Sequence, residues 1–377
     1  MPCLNEAETL EICILKAQAF LDRAGISGEI LIGDNGSTDG SQDIARRCGA
    51  RVVDVGVKGY GAAIYGAVME ARGRYCIMGD SDDSYDFCRL ELFVEKLRGG
   101  TDLVMGNRFL GGIAPEAMPW QNRYIGNPIL SGIGRLLFRC PVRDFHCGLR
   151  GFSREAFLQM RLRTVGMEFA SEMIIKATIL NMKIAEVPTT LAPDGRSRPP
   201  HLRPYRDGWR HLRFMLLFSP NWLLLYPGLM LMLAGVALGV TLVVHPIRIG
   251  SVRLSIDTLI YCASMIEMGF QSVLFALLSR SYAAQEGLIP RSRQTAWVDR
   301  IVSLERGLVL GIVLIVAGLL MLTHALTAWS NTGFGNLDVE QVTRTVVGSS
   351  LCLCLGFEVI LSSLLLSTFR LSLRGTT

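Results

Sequence analysis

The sequence predicts an α/β domain with a mostly parallel sheet, followed by a membrane region of about four helices. Short apolar strands alternate with helices through about the first 200 residues, a pattern typical of parallel sheets. Beyond about residue 214 the sequence changes to long apolar runs, of the length that crosses a bilayer. We therefore divide the 377-residue chain into residues 1–195, a basic juxtamembrane segment at 196–220, and transmembrane helices within 221–370.

The α/β part becomes strand-like at Glu29, where the apolar run of EILIGDNGST ends in polar residues. The next segment, GSQDIARRCGA, predicts a helix capped by Ser41 or Asp39. Three more strands are predicted in ARVVDVG, YCIMGDSDD and DLVMGNRF, separated by helices in YGAAIYGAVMEARG and LELFVEKLRGG. Because ligands bind at the carboxyl ends of the strands in such sheets, the polar residues after each strand are the candidates for a site.

Three polar clusters fall at these strand ends: Asp34-Asn35-Gly36-Ser37, Asp80-Ser81-Asp82-Asp83 and Asn107-Arg108. The carboxylates of the second cluster repel one another at the end of a buried strand unless a cation neutralises them. A divalent cation such as Mg²⁺ or Mn²⁺, held by one or two carboxylates and by substrate phosphates, meets that need. A solvated acidic loop without a ligand is the alternative interpretation.

The membrane region contains four apolar stretches that are long enough to cross a bilayer as helices. They lie at about 221–244, 256–279, 307–329 and 346–369. Their few acidic residues are assigned to helix ends or to contacts between helices, and these are Asp257, Glu267 and Glu358.

Arginines in the connecting loops predict the orientation of these helices, because basic loops stay on the cytoplasmic side. One side of the membrane receives the larger set, namely Arg280, Arg291, Arg293, Arg300, Arg306, Arg370 and Arg374. The other side receives only Arg248, Arg253 and Arg344. We therefore expect an integral protein of the cell (inner) membrane with the catalytic domain and both termini in the cytoplasm. The first residues, which do not resemble a cleavable signal peptide, agree with that expectation.

Six arginines precede the first span and are interleaved with aromatic side chains. They are Arg196, Arg198, Arg203, Arg206, Arg210 and Arg213, among Tyr205, Trp209 and Phe214. Nucleic acid is one partner for such a patch. Lipid phosphate fits better because the chain enters the membrane a few residues later, so we expect a bilayer partner and no nucleic acid. Anchoring of the first span alone accounts for some of these arginines.

Several motifs occur in the order and spacing of a known family: PCLNE at 2–6, DNGSTD at 34–39, DSD at 80–82, GNR at 106–108, DFHCGLRGF at 144–152 and EVP at 186–188. With them, about the first 200 residues resemble family-2 glycosyltransferases of the GT-A fold, in the dolichyl-phosphate mannose synthase branch. The resemblance implies a Rossmann-like GT-A domain that uses a UDP- or GDP-hexose. It also implies a polyprenyl phosphate acceptor, dolichyl or undecaprenyl.

The resemblance also implies a role for individual residues. The donor would be bound by Pro2, Asn5, Glu6, Asp34, Ser37, Lys58 and Asp80, with Asp34 at the nucleoside. Asp82 and Asp80 would hold the metal, and together with Arg108 they would form the catalytic set that offsets charge on the leaving nucleoside diphosphate. The acceptor phosphate would be held by Arg150, Arg196 and Arg198. A structural ion pair is the alternative for Arg108.

A phosphate acceptor simplifies the chemistry, because its second pKa of about 6 leaves it ionised near neutral pH. No strong general base is then needed, and a single displacement would invert the anomeric carbon. The sequence contains no Gln-x-x-Arg-Trp motif, which marks the processive synthases of the superfamily. Its absence favours the transfer of one sugar per cycle.

Three other functions stay open from the sequence alone. The first is transfer to another lipid hydroxyl, such as that of diacylglycerol, with Glu172 or Asp83 as general base. The others are a non-catalytic membrane scaffold with a decayed transferase domain, and a transporter, for which four helices with few paired polar groups make a poor pathway. The family branch normally places a buried strand before the Pro-x-x-Asn-Glu motif, so we expect a natural start upstream of Met1. A homo-oligomer is also left open.

Overall fold

The computed structural model describes residues 1–197, 204–244, 247–249, 252–254, 256–285, 303–334 and 339–371. The chain forms two compact units, Met1–Phe218 and Ser219–Thr377. Each unit is considered by itself below.

The first unit contains two groups of strands. The parallel group has the order β1-β2-β3, and its strands are β1 (Pro2–Cys3), β2 (Leu31–Asp34) and β3 (Arg51–Asp54). The mixed group has the order β4-β6-β5-β7, and its strands are β4 (Tyr75–Met78), β5 (Leu103–Asn107), β6 (Arg150–Ser153) and β7 (Ile184–Pro188). The four strands expected from the sequence, which are β2 to β5, are confirmed.

The mixed group shows where the sheet departs from simple parallel order. Strand β6 runs antiparallel to both β4 and β5, whereas β5 and β7 are parallel. The sequence RGFS of β6 has no alternation that would mark it as a strand. Its Gly151 lies against Leu97 and Phe93 of the neighbouring helix, so close packing rather than local pattern defines this strand.

Helices separate the strands and bury their apolar faces against the sheet. Those of the first unit are α1 (Leu10–Ala24), α2 (Ser41–Arg47), α3 (Tyr60–Met69), α4 (Glu91–Arg98), α5 (Arg108–Gly111), α6 (Asn127–Phe138), α7 (Arg154–Met160), α8 (Phe169–Ile179) and α9 (Pro204–Leu217). A π-helical turn at Asn122–Gly126 leads into α6. The cap of α2 is the backbone of Gly40, while Asp39 accepts a hydrogen bond from the Ser41 amide at 3.0 Å.

The N-terminal strand is short but paired. Pro2 and Cys3 lie beside Gly33 and Asp34 in parallel register, and the Met1 amine donates to the Leu31 carbonyl at 2.8 Å. This places the carboxyl end of β1 next to that of β2. The upstream start expected from the sequence stays a prediction.

The described residues of the second unit form the four apolar helices expected for the membrane region, so the expected number is confirmed for this part of the chain. They are α10 (Tyr226–Val244), entered through a π-helical turn at Asn221–Leu225, α11 (Ile256–Gln285), α12 (Leu304–Asn331) and α13 (Val339–Leu371). Each is long and apolar enough to span a membrane. A short hairpin of β8 (Ile247–Ile249) and β9 (Val252–Leu254) joins α10 to α11.

Small residues let these helices approach closely in pairs. A methyl group on Gly228 or Gly235 of α10 would collide with the backbone of α11. Likewise, Gly311 of α12 lies against the carbonyl of Gly356 in α13, and Ser349 Oγ donates to the Gly318 carbonyl at 2.7 Å. Such contacts are the usual basis of helix association in lipid.

The acidic residues of this unit lie where the sequence placed them. Asp257 is in the first turn of α11. Glu267 of α11 and Glu358 of α13 are close enough to interact electrostatically, so both face the contact between these two helices. Their assignment to a helix end and to helix contacts is therefore confirmed.

Gly33 allows strand β2 and helix α3 to pack closely together. A Cβ atom on Gly33 of β2 would overlap the carbonyl oxygen of Ala63 in α3, which is backbone and cannot swing away. We expect Gly33→Ala to destabilise the first unit by about 1–3 kcal/mol, the usual cost of overpacking. Gly56→Ala is the matched control, because nothing lies within 4 Å of its added Cβ. Thermal melting of the full chain in detergent tests this, and equal melting temperatures for the two variants would contradict it.

Candidate active site

The carboxyl ends of β1 and β2 in the parallel group lie near that of β4 in the mixed group, at one edge of the domain, and hydrogen bonds join their loops. Ser81 Oγ donates to the Pro2 carbonyl at 2.6 Å, and Thr9 Oγ1 donates to the Ser81 carbonyl at 2.6 Å. The Asn5 amide donates to Ser37 Oγ at 2.9 Å. The structure therefore brings the N-terminal motif together with the two aspartate clusters.

Asp34 is a buried carboxylate with one oxygen engaged and one open. Its Oδ2 accepts hydrogen bonds from the backbone amides of Gly36 and Ser37, at 2.9 and 3.1 Å, and from Gln42 Nε2 at 2.7 Å. Burial raises the pKa of Asp34, but the hydrogen bonds of Ser37 and Gln42 outweigh it and lower the pKa. Its Oδ1 is buried and has no hydrogen-bond partner among the described residues. An ionised, open acceptor of this kind suits an N–H or O–H group of a ligand.

Lys58 lies beside the same turn. Its Nζ donates to the Asn35 carbonyl at 2.5 Å and lies so close to Gly36 that a side chain there would collide with it. The Asn35 side chain in turn accepts a hydrogen bond from the Gly59 amide at 2.6 Å. A positive charge is therefore held at the rim of the Asp34 cluster.

Asp80 is half-buried beside Asp82, and the two carboxylates interact. Burial and the charge of Asp82 raise the pKa of Asp80 to about 6. The Tyr60 hydroxyl, which donates to Asp80 Oδ1 at 3.0 Å, offsets part of this rise, as do the charges of Arg150 and Arg196. The other oxygen of Asp80, Oδ2, lies so close to Gly148 that any side chain at that position would collide with it. The repulsion expected between these two acids is present.

Asp82 divides its two oxygens between a turn and a guanidinium. Its Oδ1 accepts from the Ser84 amide at 3.1 Å and from Ser84 Oγ at 2.6 Å. Its Oδ2 lies 3.1 Å from Arg196 Nη2, while Arg196 Nη1 lies 3.0 Å from Glu6 Oε1. Arg196 also forms an ion pair with Asp194. Burial lowers the pKa of Arg196, but Asp194 and Glu6 outweigh it and raise the pKa.

The residues present fit a hard divalent cation. Asp80 and Asp82 are adjacent carboxylates whose repulsion a dication would relieve, and oxygen is the ligand that Mg²⁺ and Mn²⁺ prefer. Among the described residues no group of three or more His, Cys, Asp or Glu side chains is placed to hold a metal ion by itself. An open site with one or two carboxylates is the form that Mg²⁺ takes when substrate phosphates complete its shell.

Arg108 is placed differently from the sequence interpretation. Its guanidinium forms a two-pronged ion pair with Asp144, with Nε at 2.8 Å from Oδ2 and Nη2 at 2.7 Å from Oδ1. Both side chains are buried, and the Arg108 amide also donates to Asp144. This is the structural ion pair considered as the alternative. The geometry therefore does not support direct contact between Arg108 and a leaving group.

Arg150 also departs from its expected position, because its side chain is 0% exposed. It donates to three backbone carbonyls, those of Cys147, Phe145 and Ala170, at 2.9, 3.0 and 2.5 Å. A guanidinium committed to the protein interior cannot contact an acceptor phosphate in this conformation, which corrects the expected role. It instead supplies positive charge beneath Tyr60 and Asp80. Arg198, the third candidate for the acceptor phosphate, lies outside the described residues.

The two candidate general bases are both engaged. Glu172 is 1% exposed, pairs with Lys176 at 2.8 Å, and accepts hydrogen bonds from the amide and hydroxyl of Thr164 at 2.9 and 2.6 Å. Asp83 pairs with Lys16 at 2.7 Å. Neither is therefore placed as a base waiting for a substrate proton.

Sequence reasoning missed Tyr60, Gln42, Asp144 and Asp194 as partners of the site. Asp144 stands within the motif DFHCGLRGF but received no role, and Tyr60 directly follows the Lys58-Gly59 pair. The first position of a helix after a glycine turn is a signal that could have pointed to Tyr60, because it begins α3. Gln42 and Asp194 carry no such local signal.

Within the basic segment before the first span, Pro204–Leu217 forms the amphipathic helix α9. On α9, Tyr205 and Trp209 are 86% and 58% exposed, while His211 is buried with its Nδ1 2.8 Å from Ser171 Oγ. Trp120 and Tyr124, which lead into the adjoining helix α6, are 62% and 68% exposed. Exposed aromatic rings beside arginines are typical of a membrane interface.

Comparison with known proteins identifies the family of the chain. The family model described as glycosyl transferase family 2 matches residues 1–161, and that of the glycosyltransferase family 2 C-terminal transmembrane region matches residues 277–370. The low-salt glycan biosynthesis hexosyltransferase Agl6 of Haloferax volcanii is 35% identical over 369 residues, which cover 98% of this chain and 87% of that protein.

Two further similarities cover less of the chain. The dolichyl-phosphate hexose transferase of Haloferax volcanii is 32% identical over 154 residues, 41% of this chain and 66% of that protein. A solved structure of glucosyl-3-phosphoglycerate synthase from Mycobacterium tuberculosis is 24% identical, with a TM-score of 0.44 over 57% of this chain and 76% of that one.

The expected resemblance is confirmed by the family models and by the relative that spans nearly the whole chain. The chain belongs to glycosyltransferase family 2, and it is a membrane glycosyltransferase that joins a GT-A catalytic domain to four apolar helices.

Proposed function

We propose that this enzyme transfers a single hexose from a UDP- or GDP-hexose to a membrane polyprenyl phosphate, dolichyl or undecaprenyl. The observation that carries the proposal is the Arg196 guanidinium, which lies 3.1 Å from Asp82 at the edge where the donor clusters meet. A cation at that point suits a phosphate acceptor, because charge-assisted hydrogen bonds to phosphate are strong. The relative named a dolichyl-phosphate hexose transferase supports the same acceptor class.

The part of the proposal that concerns the donor follows from the residues around Asp34. The open Oδ1 of Asp34 is suited to accept a hydrogen bond from the nucleoside, and Lys58 supplies positive charge near the diphosphate. We expect Pro2, Asn5, Glu6 and Ser37 to contact the donor as well, and the hydrogen bonds of Pro2 with Ser81 and of Asn5 with Ser37, beside the aspartate clusters, support this. A divalent cation, Mg²⁺ or Mn²⁺, would be held by Asp82 and Asp80, and when bound it would neutralise charge that develops on the leaving diphosphate.

The transfer itself requires no proton abstraction by the protein. An ionised oxygen of the acceptor phosphate attacks the anomeric carbon of the hexose, a new carbon–oxygen bond forms, and the bond to the nucleoside diphosphate breaks with inversion. The residues of this chain bind, orient and neutralise the two phosphate groups. Because Glu172 and Asp83 are engaged in ion pairs, a lipid hydroxyl, which needs a base, is the less favoured acceptor.

The membrane half of the proposal concerns delivery of the acceptor. The exposed rings of Tyr205, Trp209, Trp120 and Tyr124 are suited to lie at the level of lipid headgroups, where an acceptor phosphate is found. Together with the distribution of loop arginines, this supports an enzyme whose catalytic domain and termini are cytoplasmic.

A direct assay tests the acceptor. Membranes containing the chain are incubated with a panel of labelled nucleotide hexoses, Mn²⁺ and polyprenyl phosphate. We expect one labelled lipid product that mild acid cleaves, because sugar-phosphate-prenol linkages are acid-labile, with the anomeric configuration opposite to that of the donor. Asp82→Asn should lower the rate at least about 100-fold, the scale of losing one charge-stabilising group.

Two results of this assay would contradict the proposal. An acid-stable product formed with diacylglycerol would identify a hydroxyl acceptor. A product that retains the donor's anomeric configuration would exclude the single displacement.

A second prediction concerns the nucleoside contact of Asp34. We expect Asp34→Asn to raise the KM for the donor about 10-fold with a smaller change in kcat, because one charge-assisted hydrogen bond contributes about 1.5–3 kcal/mol. Asp43→Asn on α2 is the control, since that carboxylate is 81% exposed and pairs only with Arg46 among the described residues. Steady-state kinetics with varied donor distinguish the two, and an unchanged donor KM in the Asp34 variant would remove this contact from the donor site.

A further inference from the structure

Arg196 is held by the acidic site rather than displayed to solvent. Its side chain is 9% exposed, and its guanidinium contacts Glu6, Asp82 and Asp194 together. Two of its nitrogens reach acids of the donor edge, Nη1 at 3.0 Å from Glu6 and Nη2 at 3.1 Å from Asp82. Partly desolvated ion pairs of this kind are less screened than surface pairs. Arg196 is thus a counter-cation of the site in this state.

The backbone around Arg196 is fastened to the same acidic loop. The Gly195 amide donates to the Asp82 carbonyl at 3.0 Å, and the Ala192 amide donates to the Ser84 carbonyl at 2.9 Å. On the other side of Arg196, the amide and hydroxyl of Ser197 both donate to Glu8 at 2.6 Å. The segment Leu191–Ser197 therefore lies across the loop that carries Asp82.

The oxygen that Arg196 contacts is the one a cation needs. Both hydrogen bonds from Ser84 fall on Asp82 Oδ1, so Oδ2 is the oxygen of this carboxylate left for a metal. Arg196 Nη2 lies on that oxygen. A dication bound to Oδ2 would stand within a few ångströms of the guanidinium, and the two positive charges would repel each other.

We infer that Arg196 and the divalent cation compete for Asp82 Oδ2, that a cation bound there displaces the guanidinium, and that the displaced Arg196 then receives the acceptor phosphate. The inference rests on the proposed function and deepens it, because it makes Arg196 the residue that couples cation binding to acceptor binding. Because coupling between two sites is reciprocal, the cation raises the affinity for the acceptor phosphate, and the acceptor raises that for the cation.

The first test uses the metal alone, so it does not depend on the acceptor. Mn²⁺ binding to the full chain in detergent is measured from the free Mn²⁺ signal in electron paramagnetic resonance, without donor. We expect Arg196→Gln to bind Mn²⁺ about 10-fold more tightly than the natural chain, within the range of ordinary coupling between sites. Arg46→Gln, which removes an exposed arginine of α2, should leave the Mn²⁺ affinity unchanged.

A second variant guards against a folding defect. Arg196→Lys keeps one positive charge but lacks the planar fork whose two nitrogens reach Glu6 and Asp82 together, and we expect it to tighten Mn²⁺ binding by about 3-fold. Melting temperatures of both variants show whether they fold. Unchanged or weaker Mn²⁺ binding in folded Arg196→Gln, or in folded Arg196→Lys if only that variant folds, would overturn the inference.

The second test measures the coupling between cation and acceptor. Equilibrium binding of a short-chain polyprenyl phosphate to the natural chain should tighten about 10-fold when UDP or GDP and Mn²⁺ are present, and Arg196→Gln should lose that gain. No gain in the natural chain would overturn the inference. If Mn²⁺ binding responds as expected but no polyprenyl phosphate accepts sugar, the proposed acceptor fails while the role of Arg196 towards the cation stands. If a polyprenyl phosphate accepts sugar but Mn²⁺ binding does not respond as expected, the proposed function stands and the inference fails.

Discussion

The repulsion among carboxylates gathered at one edge of the sheet is the constraint on which the rest of the catalytic domain depends. The ends of β1, β2 and β4 bring Glu6, Asp34, Asp80 and Asp82 to this edge, where water is partly excluded. Each carboxylate is balanced differently: Asp34 by hydrogen bonds from its own turn, Asp80 by a tyrosine hydroxyl, and Asp82 by a guanidinium. The edge keeps its negative charge, which is the state that the proposed divalent cation needs.

Much of the fold could be predicted from the sequence because its signals are local. The apolar runs that end in Asp34, in Met78 and in Asn107 are short, bounded by polar residues, and separated by helical patterns, and all became strands. Strand β6 escaped prediction, since RGFS acquires its extended form from its two neighbours rather than from its own residues. Hydropathy located the apolar helices of the described residues, but it underestimated the length of α11, α12 and α13, which have 30, 28 and 33 residues.

The site was predictable only in part, for a reason that Arg108 and Arg150 illustrate. The sequence shows that an arginine follows a strand. Whether that arginine contacts a bound ligand or forms a structural ion pair depends on residues that are distant in the chain. Arg108 meets Asp144, 36 residues away, and Arg150 meets the carbonyl of Ala170, 20 residues away. The aspartates were easier, because a carboxylate directly after a buried strand has few other roles. The contact between Arg196 and Asp82 spans 114 residues, and no local pattern indicates it.

The close contact between α12 and α13 has a consequence for how this half of the protein varies. Gly307, Gly311 and Gly318 each lie where a methyl group would collide with α13, and Ser363, Gly356 and Ser349 stand opposite them. Lipid gives apolar side chains no preference for one another, so the attraction depends on backbones that can touch. Residues such as Leu310 and Leu320, which are 53% and 65% exposed, can be exchanged among aliphatic types at little cost. Substitutions should therefore accumulate quickly on the outer face of the α12–α13 pair. They should be rare at the small residues that line the contact between the two helices.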